Sequence, residues 1–392
     1  MSQCRAAAAA LLLVIGSGCQ APQHSSNAQV TPLRDYRCTF PETVEAPSQP
    51  SAPSPTPAPP QTASTEPSLP AINSTNHWVS LEAWAAHHGL GHPHQVPSAI
   101  APTYRVQGVR GKMELMAGTR TFRWNGLEHW LGFAPKANHG QLELHVLDLE
   151  KNLAPLMIGA QGWLATNRVI VIDPGHGGED TGAQSAVSER CEKVYALDWA
   201  RRLQALLVTN GWTVFLTRTN DSEQSLSNRI SFTQQKKADL FISLHFNAAP
   251  LNRLRSGLET YCLTPSGLTS TLTRDFPDDP ALVFPNNAFD TQNLELASCL
   301  HRAVVAATGR VDGGVRRARF MAVLRGQVRP AALLEGGYLT NPQEAELIAK
   351  PDYRQRLAEA VAHALFYQAM SGGRMRVVNS PEGRASRAAG GY

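Results

Sequence analysis

The stretch RVIVIDPGHGGEDTGA, residues 168–183, joins a run of aliphatic residues to a glycine-rich turn that contains His176. A short hydrophobic run of this kind is typical of a strand. The glycines beside His176 favour a tight turn and allow the backbone to approach a ligand closely. The stretch therefore predicts a strand over 168–173 in an α/β sheet, with His176 just past its carboxyl end.

Two more apolar runs also end in a potential metal ligand or acid. LFISLHFNA ends a predicted strand at His245, and AALLEGGYLTN ends one at Glu335. A fourth stretch, CEKVYALDWARRL, puts Glu192 at the start of an amphipathic helix. Because ligand sites in open α/β sheets gather at the carboxyl ends of the strands, we expect these side chains to converge on one rim.

The residue types at this rim suit metal chemistry. Two imidazoles and a carboxylate can hold a zinc ion and leave one coordination position open, and a second carboxylate can then act as a base. Taken alone, each residue also has a structural interpretation, since a carboxylate such as Glu192 is favoured at any helix N-terminus. Glu335 is harder to explain in that way, because a carboxylate after the apolar run AALL is costly to bury without a positive partner. Asp173 either orients the His176 ring or accepts hydrogen bonds from amides of the turn.

Strands and helices alternate over residues 166–371, which predicts an α/β domain whose sheet is flanked by helices on both faces. The predicted strands are 168–173, 213–217, 239–244, 257–263, 320–324 and 331–335, and the predicted helices are about 192–209, 226–236, 293–308, 342–349 and 351–370. A proline-containing stretch, 264–291, interrupts this pattern. It is either a lid or regulator of the site or a mobile surface loop.

The residues ahead of this domain fall into three parts of different composition. Residues 1–19 contain a short apolar run and end at Cys19, which predicts an export signal with a lipidated cysteine; a cleaved signal with an incidental cysteine is the alternative. Residues 20–75 are rich in Pro, Ser and Thr, which is typical of a disordered linker. Residues 76–165 alternate short apolar runs with glycine turns, which predicts a small β-rich accessory module.

The charge of the chain argues against a nucleic-acid partner. The formal net charge is +4, and residues 372–392, a predicted disordered tail with four Arg and one Glu, supply +3 of it. A nucleic-acid-binding domain would instead cluster basic residues on a folded face. We expect an exported protein of the periplasm or cell envelope, held at the membrane by a lipid on Cys19.

Residues 168–370 resemble the catalytic domain of zinc-dependent N-acetylmuramoyl-L-alanine amidases (Amidase_3), the family of the bacterial cell-separation amidases. Four motifs of that family occur in order: DPGHGGEDTGA, EKVYALDWARRL, ADLFISLHFNA and RPAALLEGGYLTNPQEAELI. The resemblance implies a phosphorylase/hydrolase-like α/β fold, Zn2+ bound by His176, Glu192 and His245, and Glu335 as the catalytic acid and base. It also implies peptidoglycan as substrate, cut between N-acetylmuramic acid and the L-alanine of the stem peptide.

Two other functions stay open on the sequence. A peptidoglycan-binding protein without activity would have lost at least one of the four groups, and all four are present. A zinc peptidase that cuts ordinary peptide bonds would need a different site, because the sequence has no H-E-x-x-H motif. Arg229 and Asn247 lie near the predicted rim, where they either touch substrate or serve the structure. A protein activator is a further partner that the sequence leaves open.

Overall fold

A computed structural model describes residues 77–159, 167–273 and 278–370, with side chains up to residue 366 in the last range. The predicted export signal, Cys19, the linker and the basic tail lie outside these described residues. All described residues belong to one compact unit. Among the helices in the described ranges, none has both the length and the apolar character that crossing a membrane requires.

The first described range, 77–159, is rich in short strands, in line with the alternation of short apolar runs and glycine turns in its sequence. Strands β1–β8 are Trp78–Ser80, His94–Val96, Thr103–Gly108, Gly111–Met116, Thr121–Trp124, Leu127–Trp130, Lys136–Asn138 and Gln141–His145. Helices α1–α3 are Leu81–His87, Val146–Asp148 and Ala154–Met157, and a π-helical turn, Leu149–Leu153, joins the last two. Asn125 and Gly126 make the two-residue turn between β5 and β6, with positive φ values of 50° and 85°. Such a turn matches the twist of the hairpin strands that it connects.

From residue 167 onwards, longer strands and helices alternate. Strands β9–β14 are Val169–Pro174, Thr213–Leu216, Leu240–Asn247, Leu258–Cys262, Asp312–Arg317 and Ala331–Tyr338. Helices α4–α9 are Glu192–Thr209, Leu226–Gln235, Asp290–Thr308, Ala322–Arg325, Pro342–Ala349 and Pro351–Met370. Local capping fixes where two of these helices begin. Ser225 accepts from the Asn228 amide at the start of α5, and Asn341 accepts from the Glu344 amide at the start of α8.

The central strands place their carboxyl ends along one edge. Within the described residues, the large sheet has the order β10-β9-β11-β14-β12-β13-β6-β5-β4-β3-β2. Strands β10, β9, β11 and β14 run parallel to one another, and β12 runs antiparallel to β14. The carboxyl ends of β9, β11 and β14 therefore lie side by side, and this edge carries His176, His245 and Glu335.

Both faces of the central sheet are buried. Ile170 and Ile242 point to the face that α4, α6 and α9 cover. Val171 and Phe241, one residue away on each strand, point to the opposite face, where they pack with residues of α7 and with Phe232 of α5. This alternation follows from the two-residue period of a strand. The prediction of helices on both faces is confirmed.

The strand predicted over 320–324 is wrong. Helix α7 occupies most of that stretch, and the strand lies earlier, as β13, in the sequence DGGVRR. A short apolar run does not distinguish a strand from a buried helical turn. Contacts with distant residues hold β13 in place: Asp312 Oδ1 lies 2.8 Å from His301 Nε2, and Arg316 Nε lies 3.0 Å from Glu259 Oε1.

Strand β6 joins the two parts of the large sheet. His129 of β6 pairs with Val315 of β13 in parallel register. The Glu128 backbone N–H donates to Asp312 Oδ2 at 2.8 Å, and His129 Nε2 lies 3.1 Å from Ser298 Oγ of α6. We call this contact region the sheet junction. The strands of the first range thus extend the central sheet, and a domain boundary at residues 165 and 166 stays a prediction.

The loop over 264–291 is tied to the body of the protein where the structure describes it. Arg319 donates to Asp278 Oδ1 at 2.5 Å and to the Pro265 carbonyl at 2.9 Å. A short 3-10 helix, Pro285–Phe289, leads into α6. None of the loop residues that the structure describes lines the cavity beside His176.

Candidate metal centre

His176 lies in the turn after β9 in a left-handed backbone conformation, with a φ of 62°. This conformation is uncommon for a residue other than glycine, and it persists only where the surroundings hold it. Two buried guanidinium groups do so here. Arg218 donates to the Gly175 carbonyl and Arg229 donates to the His176 carbonyl, both at 2.8 Å. The turn that carries the first imidazole is therefore fixed from the protein interior.

Glu192 begins α4, and its carboxylate lies between the two imidazoles. Glu192 Oε1 is 3.1 Å from His176 Nε2 and 2.9 Å from His245 Nδ1. The backbone N–H groups of Ala183 and Phe246 donate to its two oxygens, at 2.9 Å and 3.0 Å. The positive end of the α4 dipole also favours a negative charge at this position. The carboxylate is thus buried, charged and held in one orientation.

Strand pairing brings His245 and Glu335 together. The two residues are opposite each other in the parallel register of β11 and β14, so their side chains leave the same face of the sheet. Asp173 of β9 pairs in the same way with Ser243 of β11. Ser243 also shares this face with His245, because two residues separate them along the strand. The face is apolar along the strands and becomes polar at the rim.

The side chains of His176, Glu192 and His245 fit a divalent metal ion. One ligand atom from each lies within 4.8 Å of the other two. Glycines make room for this approach: a Cβ on Gly175 would lie 2.2 Å from His245 Cε1, and a Cβ on Gly182 would lie 2.6 Å from Glu192 Oε2. Two imidazole nitrogens and one carboxylate oxygen are a donor set that zinc takes in proteins.

The electrostatics of the cluster favour a positive charge. Burial by itself would raise the pKa of the Glu192 carboxyl, but hydrogen bonds from both imidazoles hold this pKa well below its ordinary value. Burial by itself would lower the pKa of His176, but Glu192 and Asp180 raise it above its ordinary value. A metal ion at this site would therefore compete with a proton on the His176 ring.

A cavity of about 600 Å³ opens over the cluster. Glu335 lines the cavity together with the three candidate ligands and is 8% exposed. Phe320, Met321, Val323 and Leu226 also line it and give it an apolar wall. The cavity thus combines metal-binding groups, a separate carboxylate and an apolar surface.

The acceptor for the His176 ring is Asp180, whose Oδ1 lies 2.8 Å from His176 Nδ1. Asp173, the residue considered for this role from the sequence, instead accepts from Arg229 Nη1 at 2.5 Å and from Ser243 Oγ at 2.8 Å. It accepts neither from the His176 ring nor from the turn amides, so both sequence interpretations of Asp173 are wrong. The reason is strand pairing, which puts Asp173 beside Ser243 before the turn begins.

Arg229 and Asn247 line the cavity, but contacts within the chain engage their polar atoms. Besides its bonds to Asp173 and His176, Arg229 donates from Nε to the Gln224 carbonyl at 3.1 Å. Asn247 donates from Nδ2 to Glu259 Oε2 at 2.8 Å, and its Oδ1 accepts from the Ala248 amide. These bonds favour the structural interpretation of both residues, and contact with substrate stays a prediction.

Sequence reasoning missed Asp180 and Ser243. Ser243 has a readable signal, since a residue two positions before His245 on a strand must share its face. Asp180 has a weaker signal, because it follows His176 through a turn whose path depends on Gly177 and Gly178, at φ values of 131° and 62°.

Comparison with known proteins identifies the family. The family described as N-acetylmuramoyl-L-alanine amidase, Amidase_3, matches residues 170–367, which is just over half of the 392-residue chain. The chain belongs to this amidase family. The matched range begins in β9 and ends in α9, so it contains the candidate ligands and Glu335.

Individual amidases are similar over the same part of the chain. N-acetylmuramoyl-L-alanine amidase AmiC of Escherichia coli O6:H1 is 33% identical over 238 residues, which cover 55% of this chain and 56% of that protein. Probable cell wall amidase LytH of Staphylococcus saprophyticus is 30% identical over 200 residues, which cover 51% of this chain and 57% of that protein. The chain thus spans about half the length of these curated relatives. A solved amidase from Clostridium difficile 630 is 30% identical, covers 53% of this chain and 99% of its own, and has a TM-score of 0.43.

Proposed function

We propose that this chain is a zinc-dependent N-acetylmuramoyl-L-alanine amidase, which hydrolyses the amide bond between N-acetylmuramic acid and the L-alanine of the peptidoglycan stem peptide. Family membership supports the reaction, and the cluster of His176, Glu192 and His245 supports the metal. The register of β11 and β14 carries the proposal, because it puts Glu335 beside His245 at one cavity. Hydrolysis of an amide at neutral pH needs such a base next to an activated water.

The side chains divide the work in this proposal. His176, Glu192 and His245 would hold the zinc ion, which supplies Lewis acidity and lowers the pKa of a water to roughly 7. Glu335 takes the proton of the attacking water and passes it to the L-alanine nitrogen as the C–N bond breaks. The second proton of the water leaves the carboxyl group that forms and ends on the same amine. The products are therefore the carboxylate of the lactyl group and the ammonium group of L-alanine, which together contain all the atoms of the added water.

The apolar wall of the cavity suits the groups beside the scissile bond. The lactyl group and L-alanine each carry a methyl group, and Phe320 and Val323 line the same cavity with apolar surface. Burying a methyl group contributes on the order of 1 kcal/mol. We propose that this wall helps to orient the amide so that its carbonyl carbon faces Glu335 and the metal-binding groups.

A peptidoglycan substrate requires the chain to act outside the cytoplasm. An exported lipoprotein of the periplasm or cell envelope, anchored through Cys19, would satisfy this requirement. Anchoring, and the need for a protein activator, stay predictions. Labelling the full chain with a fatty-acid analogue in the producing cell, with Cys19→Ser as the control, tests the anchor.

Digestion of purified peptidoglycan by the zinc-loaded full chain tests the proposed reaction. We expect new amino groups on L-alanine and intact glycan strands, both read by mass spectrometry of the products. A chelator-treated sample of the same protein is the control and should release nothing. Cuts within the stem peptide would instead indicate a peptidase, and retention on peptidoglycan without new ends would indicate a binding protein.

A further inference from the structure

The two imidazoles meet Glu192 with different ring nitrogens. His176 presents Nε2, at 3.1 Å from Glu192 Oε1, whereas His245 presents Nδ1, at 2.9 Å from the same oxygen. The interplanar angle between the rings is 79°, so they are nearly perpendicular. Each ring therefore directs its remaining nitrogen into a different part of the protein.

The remaining nitrogens have acceptors of different kinds. Nδ1 of His176 lies 2.8 Å from Asp180 Oδ1, on a side chain that is 59% exposed. Nε2 of His245 lies 3.1 Å from Ser243 Oγ, which is fully buried. The hydroxyl of Ser243 is in turn 2.8 Å from Asp173 Oδ2.

The bonds around Ser243 decide where its proton lies. Asp173 is in an ion pair with Arg229, so its carboxylate can only accept hydrogen bonds. Ser243 has a single hydroxyl proton, which it donates in a hydrogen bond to the Asp173 carboxylate. Ser243 can then only accept from His245, which requires the proton of a neutral ring to lie on Nε2. By the same reasoning, the carboxylate of Asp180 requires the proton of His176 to lie on Nδ1.

We infer that Ser243 and Asp173 are positioning residues that fix His245 as an Nδ1 ligand, while Asp180 fixes His176 as an Nε2 ligand. The inference rests on the proposed zinc site and adds which atom of each ring binds the metal. Groups that hold the second nitrogen of a ligating histidine set the tautomer and orientation of the ring. The chain thus supports one ligand with a buried serine–aspartate pair and the other with an exposed carboxylate.

Nuclear magnetic resonance of the full chain with 15N-labelled histidine tests the tautomers directly. Two-bond couplings from the ring protons distinguish a nitrogen that carries a proton from one that binds metal. Among the histidines that respond to added zinc, we expect one ring protonated at Nδ1 and one protonated at Nε2. Two zinc-bound rings with the same tautomer would overturn the inference and leave the proposed zinc site standing. Failure of the wild-type chain to take up zinc would overturn both.

A pair of matched variants tests the role of Ser243. Ser243→Ala removes the acceptor of the His245 ring, and we expect zinc affinity to fall by about 10- to 100-fold. Ser298→Ala is the control, because it removes an acceptor at the same 3.1 Å from the buried ring of His129, at the sheet junction. Its zinc affinity should equal that of the wild type. Competition with a chromophoric chelator measures both affinities.

Wild-type zinc affinity in a folded Ser243→Ala chain would overturn the role of Ser243. If Ser243→Ala does not fold, Ser243→Thr replaces it in the comparison. Ser243→Thr keeps the hydroxyl, so we expect its zinc affinity to equal that of the wild type. The tautomers of the wild-type chain decide the inference independently of either variant.

Discussion

The rim of the sheet and the sheet junction each contain a buried serine that holds a histidine ring. His245 Nε2 lies 3.1 Å from Ser243 Oγ at the rim, and His129 Nε2 lies 3.1 Å from Ser298 Oγ at the junction. The two pairs share the same atoms and the same distance. A histidine–serine contact alone therefore does not distinguish a ligand from a structural residue.

The other nitrogen of each ring makes the difference. Nδ1 of His245 faces the carboxylate of Glu192 beside an open cavity. Nδ1 of His129 lies 3.1 Å from the backbone carbonyl of Leu127. Burial lowers the pKa of His129 to about 3, and the ring therefore stays neutral. It packs in the interior and makes hydrogen bonds. A histidine can act as a metal ligand where the ring nitrogen that the serine does not hold lies beside other ligands at a cavity that substrate can reach.

The largest effect is expected from Glu335→Gln at the rim. The substitution keeps the shape of the side chain and removes its capacity to take a proton, so turnover on peptidoglycan should fall by about 10²- to 10⁴-fold. Zinc content should stay at the wild-type level, because Glu335 is not one of the candidate ligands. Turnover near that of the wild type would contradict the role of Glu335. The polar groups at the rim would then be structural, like those at the sheet junction.

Gly182→Ala is expected to have the next largest effect, through zinc binding. A Cβ at this position would lie 2.6 Å from both Glu192 Oε2 and His176 Cδ2, so zinc affinity should fall by about 10- to 100-fold. Gly309→Ala is the control, because its φ of 62° matches the 66° of Gly182 and no atom lies within 4 Å of the added Cβ. Each variant should lose roughly 1–2 kcal/mol of stability from the left-handed backbone. Equal zinc affinities in the two variants would show that Gly182 is not needed for close approach.

A smaller effect is expected from His129→Gln at the sheet junction, on the pH dependence of the free energy of unfolding. The folded pKa of His129, about 3, lies below the ordinary 6.5, so below pH 6.5 the unfolded chain binds a proton that the folded chain does not. As the pH falls through this window, His129 should therefore reduce stability by about 1.4 kcal/mol per pH unit. Denaturant unfolding at several pH values should show a shallower dependence for His129→Gln than for the wild type. Identical slopes would mean that this ring takes up its proton in the folded chain.

The smallest effect is expected from Asp180→Ala, on the exposed side of the metal cluster. Water can replace this acceptor, since the Asp180 side chain is 59% exposed. Zinc affinity should fall by roughly tenfold or less, and by less than in Ser243→Ala. A loss greater than that of Ser243→Ala, measured by chelator competition, would reverse the comparison between the two rings.

The predicted parts of the fold are those in which local sequence decides the structure. The strands around Val171, Phe241 and Leu333 are largely apolar runs, and their carboxyl ends carry His176, His245 and Glu335 as expected. Strand β13 was not predictable, because DGGVRR owes its conformation to distant partners such as His301 and Glu259. The apolar run FMAVL, which was predicted as a strand, belongs largely to α7 for a similar reason.

The candidate site shows the same limit. The candidate ligands and Glu335 follow from motifs at strand ends and at a helix start. The residues that orient the rings depend on pairing between strands, and Asp173 meets Ser243 because β9 and β11 are adjacent. Sequence alone does not give that adjacency. It offers Asp173 as one possible partner of the His176 ring, whereas the partner in the structure is Asp180.

Anomalous diffraction at the zinc absorption edge, from crystals of the full chain grown with zinc, tests the central claim most directly. We expect a peak in contact with His176, Glu192 and His245, on the wall of the cavity that Glu335 also lines. Zinc bound elsewhere in the crystal, with no peak at these three side chains, would contradict the claim.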